Sequence, residues 1–371
     1  MERGFLFIKN KRKKIRFSLV SLYYKIKTKK CMSFKGFSKL TLISIFLIIV
    51  AGSLVRMTGS GMGCPDWPKC FGYLIPPTSV DQIEWGIEKT FFEGQMIIYD
   101  EQLWLAKRNF ISSEIYKKEN WILYTKHDYV EFNPFHTWME YINRLIGAIS
   151  GLLTLIMFIM SFRYWNSKRK IVFLSGLTVF FMGLQAWLGA TVVFSVLQPV
   201  QITIHMLMAL VILALMVYLI SEVPEPNKEK NIIFDKRLNQ FLKVAIVLSV
   251  IQITLGTQVR QLIDEIASSL NHMQRNLWVD LAGTTFMIHR SFAISIVLIN
   301  MILFFINYKL KYRYQLVNFV CGVVFLEVLS GIVLTYLDML AIMQPIHLIA
   351  ASLLFLLQIA LYFKLQKAKS I

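Results

Sequence analysis

Two five-residue stretches, GSLVR at residues 52–56 and GTQVR at residues 256–260, each begin a unit that occurs twice in this chain. In each copy a polar residue followed by arginine comes next, and then a glycine that lies sixteen residues before a histidine. These positions are Asn143, Arg144, Gly189 and His205 in the first copy and His289, Arg290, Gly331 and His347 in the second. Three fragments in the same order indicate an internal duplication.

The composition places the duplicated unit in a membrane, because 56% of the 371 residues are hydrophobic. Eight apolar stretches are long enough to span a bilayer. They cover approximately residues 38–58, 138–161, 170–194, 199–220, 238–260, 282–306, 314–336 and 341–363. The predicted fold is therefore an all-α polytopic membrane protein, in which eight transmembrane helices form two pseudo-symmetric four-helix bundles.

The net charge of +18 is concentrated near the N-terminus, where residues 1–36 contain twelve Lys/Arg and one acid. A basic segment before a membrane helix is typical of a cytoplasmic anchor that touches anionic lipid, so we expect membrane lipid and not nucleic acid as its partner. No small-residue cleavage site follows an apolar core, which argues against a cleaved signal peptide, and Met32 is an alternative start. Lys/Arg also cluster in alternate connections, which predicts that both termini lie in the cytoplasm.

The expected organisation has four parts. A basic tail covers residues 1–37, the first half covers 38–221, a cytoplasmic linker covers 222–237 and the second half covers 238–366. The first half includes an outer loop of 79 residues, 59–137, which is too long to be a mere connector. We expect its aromatic and acidic part, residues 81–131, to contain helix and to cover the first half or lie on the membrane.

The four polar positions Asn143, His205, His289 and His347 each lie five to seven residues inside an apolar stretch that begins on the outer side. They should therefore share one depth, about one to two helical turns below that surface. Ionisable side chains inside hydrocarbon are costly and indicate a functional site.

The chemistry of these positions favours haem. Zinc and copper sites usually have a third ligand from cysteine or a carboxylate, whereas two imidazoles with nearby arginines suit haem iron and its propionates. The expected propionate partners are Arg56, Arg144, Arg260 and Arg290. The alternative is that the histidines are satisfied by hydrogen bonds between helices.

The two copies differ at two positions. Asn143 stands where the second half has His289, and Glu140 stands where the second half has Phe286. An acid beside a cofactor is a candidate for moving protons. We therefore expect a second half with two histidines and no acid to transfer electrons, and a first half with Glu140 and Asn143 to be the reactive site. The alternative for Glu140 is an ion pair with Arg144 or Arg56.

Cys64 and Cys70 follow the first helix on the outer side, where a disulfide is stable. The pair is either a structural link or exchanges electrons with a thiol carrier, and the sequence leaves both open. Cys31 and Cys321 are expected to be inert, and His127 and His272, which have polar neighbours, to be solvated.

These residues resemble the haem A synthases, which convert haem O to haem A for cytochrome oxidase. The resemblance covers residues 38–365 and rests on GSLVRMTGSGMGCPDW (52–67), EYINR (140–144), His205, His289-Arg290 and His347. It implies two four-helix halves, haem b held between His289 and His347, substrate haem O at His205, a catalytic role for Glu140, and a cysteine pair at Cys64 and Cys70.

One position departs from the family pattern, because many members have histidine where this chain has Asn143. Either the reactive haem has His205 alone, or another residue helps. His136, seven residues earlier, would lie about 10 Å further out and would need a bend at the start of its helix.

The resulting hypothesis is an enzyme of the bacterial inner membrane that oxidises a methyl group of haem O to the formyl group of haem A. It implies a haem O synthase and cytochrome oxidase assembly as partners, and leaves the electron donor and a homo-oligomer open. One alternative is a di-haem electron-transfer protein, which would need ligands near both membrane surfaces. The other is a haem or metabolite transporter, although no helix is interrupted midway by Gly or Pro.

Overall fold

The computed structural model describes residues 32–224 and 234–369. Most of the predicted basic tail, including Cys31, and residues 225–233 of the predicted linker lie outside the described residues. Eight helices of the described part are long and apolar enough to cross a membrane, as predicted. They are α1 Phe34–Met57, α2 Pro134–Ser161, α3 Arg169–Phe194, α4 Pro199–Glu222, α5 Lys236–Ser269, α6 Gly283–Lys309, α7 Gln315–Tyr336 and α8 Met343–Lys369.

Local sequence fixes several helix starts. Asn133 accepts hydrogen bonds from the backbone of Phe135 and His136, and Pro134 occupies the first helical position, where its missing N–H costs nothing. Asp235 caps α5 in the same way, by accepting from the Leu238 N–H at 2.7 Å. α2 therefore begins as a regular helix, without the bend that ligation by His136 would need.

Helix α5 differs most from prediction, since it continues to Ser269 instead of ending near residue 260. Its 34 residues give a length of about 51 Å at about 1.5 Å per residue, more than a bilayer requires. Pairs four residues apart support the extra turns, with Arg260 bonded to Asp264 and Gln261 to Glu265. The predicted outer loop 261–281 is thus largely helical and also contains the short helix Arg275–Leu281.

The helices pack in two rings of four. Each of α1 to α4 contacts the next helix and α4 returns to α1, and α5 to α8 repeat this arrangement. Contacts of α8 with α1 and α4, and of α4 with α5, join the rings. This packing is consistent with two similar four-helix halves.

The long connection between α1 and α2 is built from strands, so the expectation of helix within residues 81–131 is wrong except for single 3₁₀ turns. Five short strands form a two-stranded and a three-stranded antiparallel sheet, ordered β1-β4 and β2-β3-β5. They are β1 Thr90–Phe91, β2 Met96–Tyr99, β3 Gln102–Ala106, β4 Phe110–Ile111 and β5 Trp121–Leu123. We call residues 90–123 the strand region.

The physical reason lies in the hairpin of β2 and β3. Asp100 and Glu101 both have positive φ angles, which gives the two-residue turn whose twist matches antiparallel strands. Ile97 then pairs with Trp104 across the hairpin. Aromatic and branched residues in short runs favour such pairing over helix, and here they enclose a small core of Phe91, Ile97, Trp104, Ala106 and Trp121.

An ionic cluster joins the two rings at the end of the molecule that carries this connection, which we call the loop end. Asp264 of α5 lies 3.2 Å from the guanidinium of Arg56 on α1 and also pairs with Arg260. Arg260 additionally donates to the backbone carbonyl of Arg56 at 3.5 Å. The two GxxVR stretches therefore meet through one carboxylate.

Replacing Asp264 by alanine should lower the free energy of unfolding by about 1–3 kcal/mol, because two guanidinium groups lose a charged acceptor. Thermal unfolding of the purified protein in detergent measures this change. Glu265→Ala is the matched control on the same helix, since the Glu265 carboxylate bonds to Gln261 of its own helix. Equal stability of the two variants would contradict a role for Asp264 in joining the rings.

Candidate functional site

All four predicted polar positions lie near the loop end, and a glycine of the preceding helix faces each one. A Cβ added at Gly256 would lie 3.1 Å from Cε1 of His289. The corresponding distance is 3.4 Å from Gly189 to His205 and 3.6 Å from Gly331 to His347, and Gly52 would approach Oδ1 of Asn143 at 4.0 Å. The glycines thus let each pair of helices approach closely around a polar side chain.

The structure brings His289 of α6 and His347 of α8 together, as predicted. Their ring centroids are 6.3 Å apart and the rings are inclined at 78°. A metal ion between two imidazoles, at about 2 Å from each nitrogen, separates the ring centroids by about 6 Å. The separation of the two rings is therefore compatible with two imidazoles that share one metal ion.

The donor set also fits haem better than zinc or copper. Within residues 32–224 and 234–369, no group of three or more His, Cys, Asp or Glu side chains is placed to hold a metal ion. Isolated zinc sites usually take four ligands, at least three of them from the protein. A macrocycle supplies four of the six ligands of its own iron, so two imidazoles suffice.

An acid that the sequence analysis missed lies beside this pair. Glu327 of α7 approaches Nδ1 of His347 at 3.1 Å, and Ser330 approaches the same nitrogen at 2.8 Å. The expectation that the second half has no acid at its site is therefore wrong. The sequence signal was available, because Glu327 is an ionisable residue in the middle of an apolar helix and lies one turn from Gly331, on the same helix face.

The first-half positions His205 and Asn143 each leave a buried polar atom without a hydrogen-bond partner among the described residues: Nδ1 of His205 and Oδ1 of Asn143. Gln185 of α3 donates to the backbone carbonyl of His205 at 3.0 Å, which holds the helix but not the imidazole. A bound group would supply the partner that each of these two atoms lacks among the described residues. His136 remains about two turns further out, within the first turn of α2.

Glu140 is buried, with 4% exposure, and both of its oxygens have partners. Oε2 accepts the backbone N–H of Cys64 at 2.7 Å, and Oε1 pairs with Arg144. Arg144 in turn donates to the carbonyls of Asp66 and Lys69, each at 2.7 Å. The ion pair considered from the sequence is thus present, and it attaches the segment 64–70 to helix α2.

Cys64 and Cys70 form the predicted disulfide, which closes this segment; we call residues 64–70 the disulfide loop. Thr137 donates to the carbonyl of Gly63 at 2.8 Å, and a Cβ at Gly63 would overlap the carbonyl of His136, so the loop lies directly on α2. Asp66 accepts the Gly72 N–H at 2.9 Å, and burial raises the pKa of its carboxyl. Both cysteines are buried, which favours a structural link over exchange with a carrier.

The four arginines have different surroundings. Arg56 and Arg260 converge on Asp264, Arg144 is held by the disulfide loop, and Arg290 is exposed with its guanidinium 5.6 Å from the ring of Phe286. Arg290 therefore has no need of an acid at the position of Phe286, so the difference between the two copies at Glu140 and Phe286 is compatible with an ion-pair role for Glu140. The hydrogen bonds of Arg144 favour a structural role over propionate binding.

Of the two histidines expected to be solvated, one is exposed and the other is partly buried. His272 is exposed, in a turn that follows α5. His127 is instead partly buried and its Nε2 lies 2.8 Å from the carbonyl of Pro65. It therefore helps to hold the disulfide loop.

This chain is similar to the members of one known family over most of its length. The sequence profile of the COX15-CtaA family, described as cytochrome oxidase assembly protein, matches residues 35–112 and 93–359. The chain belongs to this family. The match extends over all eight helices and includes every candidate ligand, so this family member is a multi-pass membrane protein.

Several similar proteins carry the name heme A synthase, which confirms the resemblance seen in the sequence. That of Shewanella oneidensis is 27% identical over 183 residues, 49% of this chain and 43% of that protein. That of Shouchella clausii is 25% identical over 341 residues, 87% of this chain and 95% of that protein. That of Ehrlichia canis is 26% identical over 242 residues, 62% of this chain and 60% of that protein.

The disulfide predicts a specific labelling pattern. With Cys31 and Cys321 replaced by serine, protein taken from cells into alkylating reagent under denaturing conditions should incorporate no label before reduction and label at two sites after it. Intact-mass measurement reports the number of labels. Labelling at Cys64 and Cys70 without reductant would contradict the disulfide.

Proposed function

We propose that this protein is a haem A synthase, an enzyme that oxidises a methyl group of haem O to the formyl group of haem A. The observation that carries the proposal is the pair His289 and His347, whose ring centroids lie 6.3 Å apart at the loop end. The family match and the relatives named heme A synthase support it. The product would serve cytochrome oxidase assembly, and a haem O synthase would supply the substrate.

The proposed division of the chain assigns residues 38–221 to a substrate half and residues 238–366 to a haem b half. His289 and His347 would hold haem b, which supplies one-electron transfer when bound. His205 would hold the iron of substrate haem O. The two rings of four helices and the repeated glycine contacts support this division.

Arg56 and Arg260 are the proposed partners of the haem propionates. They come from the two halves and meet at Asp264, so one carboxylate orients both guanidinium groups. A further contact between the halves lies close by, because Thr203 of α4 and Thr257 of α5 approach at 3.3 Å. The helix of His205 thus contacts α5, whose Gly256 faces the ring of His289.

In the substrate half, Asn143 and Glu140 are the proposed catalytic groups. Asn143 offers a buried oxygen without a partner in the described structure, which can accept a hydrogen bond from a bound group. Glu140, three residues earlier on the same helix face, is held by Cys64 and Arg144. We propose that it accepts protons released when the methyl carbon is oxidised, with Arg144 and the disulfide loop fixing its position.

The proposed location is a bacterial inner membrane, with the loop end outside and both termini in the cytoplasm. Lysines and arginines mark the opposite end of the bundle, where Lys168 and Lys170 contact Glu222. The di-haem carrier needs ligands near both surfaces, whereas all four candidate positions lie within ten residues of a helix start at the loop end. The geometry therefore favours the synthase over that alternative.

The direct test is expression with a haem O source, followed by extraction and mass measurement of the bound haems. Haem A should appear together with haem b. The matched control is His205→Ala, which should keep haem b and lose haem A. Formation of haem A at the wild-type level by His205→Ala would contradict the assignment of the substrate half.

Replacing His347 by alanine should abolish the low-spin haem spectrum of the purified protein, because one of the two imidazoles that would hold the haem iron is removed. Gly256→Val should weaken the same spectrum, since any side chain at Gly256 approaches the ring of His289. His272→Ala is the control, because His272 is exposed and lies on a turn. A folded His347→Ala protein with the full spectrum would refute the haem b site.

Glu140→Gln should keep the low-spin spectrum and reduce haem A formation by about a hundredfold, the range for loss of a general acid or base. Arg144→Lys tests loop anchoring separately from proton transfer. It keeps the Glu140 carboxylate and removes the hydrogen bonds that the Arg144 guanidinium donates to the carbonyls of Asp66 and Lys69. Both variants are scored by haem A yield and by the rate at which a mild reductant makes Cys64 and Cys70 of the folded protein available for alkylation. Equal losses of haem A together with faster alkylation in both would assign Glu140 to anchoring alone.

A further inference from the structure

His347 differs from the other candidate histidines in its second ring nitrogen. Its Nδ1 lies 2.8 Å from the hydroxyl of Ser330 and 3.1 Å from the carboxylate of Glu327. Nδ1 of His205 and of His289 is buried and has no hydrogen-bond partner in the part of the chain that the structure describes. Of these three histidines, only His347 therefore has partners for Nδ1 among the described residues.

The direction of these hydrogen bonds follows from Ser330. Its hydroxyl donates to the backbone carbonyl of Glu327 at 3.0 Å, so the hydroxyl oxygen has only lone pairs to offer Nδ1. On this hydrogen-bond pattern Nδ1 is assigned the proton, which it donates to Ser330 and to the carboxylate of Glu327. In that tautomer Nε2 keeps its lone pair, which is the form that binds a metal.

The duplication provides an internal comparison. Gly331 and Gly189 are equivalent, so Glu327 corresponds to Gln185 and Ser330 to Leu188. Gln185 donates to the backbone carbonyl of His205 and leaves its imidazole without an acceptor. The acceptor pair is thus a feature of the second half and not of the repeated fold.

An acid in an apolar helix is costly, which argues that Glu327 has a role. Its side chain is 16% exposed, and one oxygen, Oε1, is buried without a partner among the described residues. The other oxygen is directed to His347. Histidines that bind metals usually donate their other N–H to a carboxylate, which fixes the ring and makes it a stronger electron donor.

We propose that Glu327 and Ser330 are positioning residues for His347, which they hold with Nε2 free for haem iron, and that Glu327 lowers the reduction potential of that haem. This inference rests on the proposed haem b site at His289 and His347. Its physical basis is that a more electron-donating axial ligand stabilises the oxidised iron more than the reduced iron. The haem b half would accordingly be a stronger electron donor to the substrate half.

The test uses full-length purified protein carrying its haem, as wild type, Glu327→Gln, Ser330→Ala and Ser330→Thr. Redox titration of the low-spin spectrum measures the potential. Transfer of haem to excess apomyoglobin measures retention. Glu222→Gln is the matched control, because it makes the same substitution at the far end of the bundle, where Glu222 pairs with Lys168 and Lys170.

Glu327→Gln should increase the ratio of reduced to oxidised haem about tenfold at a fixed potential, a rise of about 59 mV for one electron. Ser330→Ala should accelerate haem loss about 10- to 100-fold, as when a partner of a metal-binding histidine is removed. Ser330→Thr keeps the hydroxyl and should restore retention. Glu222→Gln should leave both properties at the wild-type value.

An unchanged potential in Glu327→Gln, with unchanged haem retention in Ser330→Ala, would overturn the inference. That result is distinguishable from failure of the proposed function. If wild-type protein carries no low-spin haem, or folded His347→Ala keeps it, the haem b site itself is wrong. A uniform potential shift in all variants, including Glu222→Gln, would assign the effect to general perturbation and also overturn the inference.

Discussion

A polar side chain inside hydrocarbon must find a partner, and this constraint organises the loop end of the molecule. The buried acids Glu140 and Glu327 satisfy it differently. Glu140 binds Arg144 and the backbone of Cys64, so that it joins a membrane helix to the disulfide loop outside it. Glu327 binds a histidine within the membrane. Glu140 of the first half and Glu327 of the second half thus lie on non-equivalent helices and have different partners.

The glycines are the second requirement, because they create the space in which these polar groups meet. Each of the four candidate positions faces a glycine on the preceding helix, with the closest approach at Gly256 and His289. Close helix approach in a membrane depends on such small residues. The duplicated sequence preserved these contacts, whereas the polar side chains around them diverged. Asn143 and Gln185 in one half correspond to His289 and Glu327 in the other.

Charged contacts join the two halves at the loop end. Asp264 lies on the part of α5 that extends beyond the expected membrane span, and there it reaches Arg56 of α1. Arginines from both copies of the GxxVR stretch are therefore oriented by a single carboxylate. Groups proposed to bind two haems are therefore held in one cluster.

The sequence by itself determined the eight helices, the placement of the four polar positions near one end of the bundle and the pairing of Cys64 with Cys70. These follow from hydropathy, charge pattern and local spacing, which act over a few turns of one helix. Only the tertiary structure decided the strands at residues 90–123, the role of Asp264, and the contact of Glu327 with His347. Each of these depends on residues that are distant in the chain, and spacing along one helix carries no information about which neighbouring helix supplies the partner.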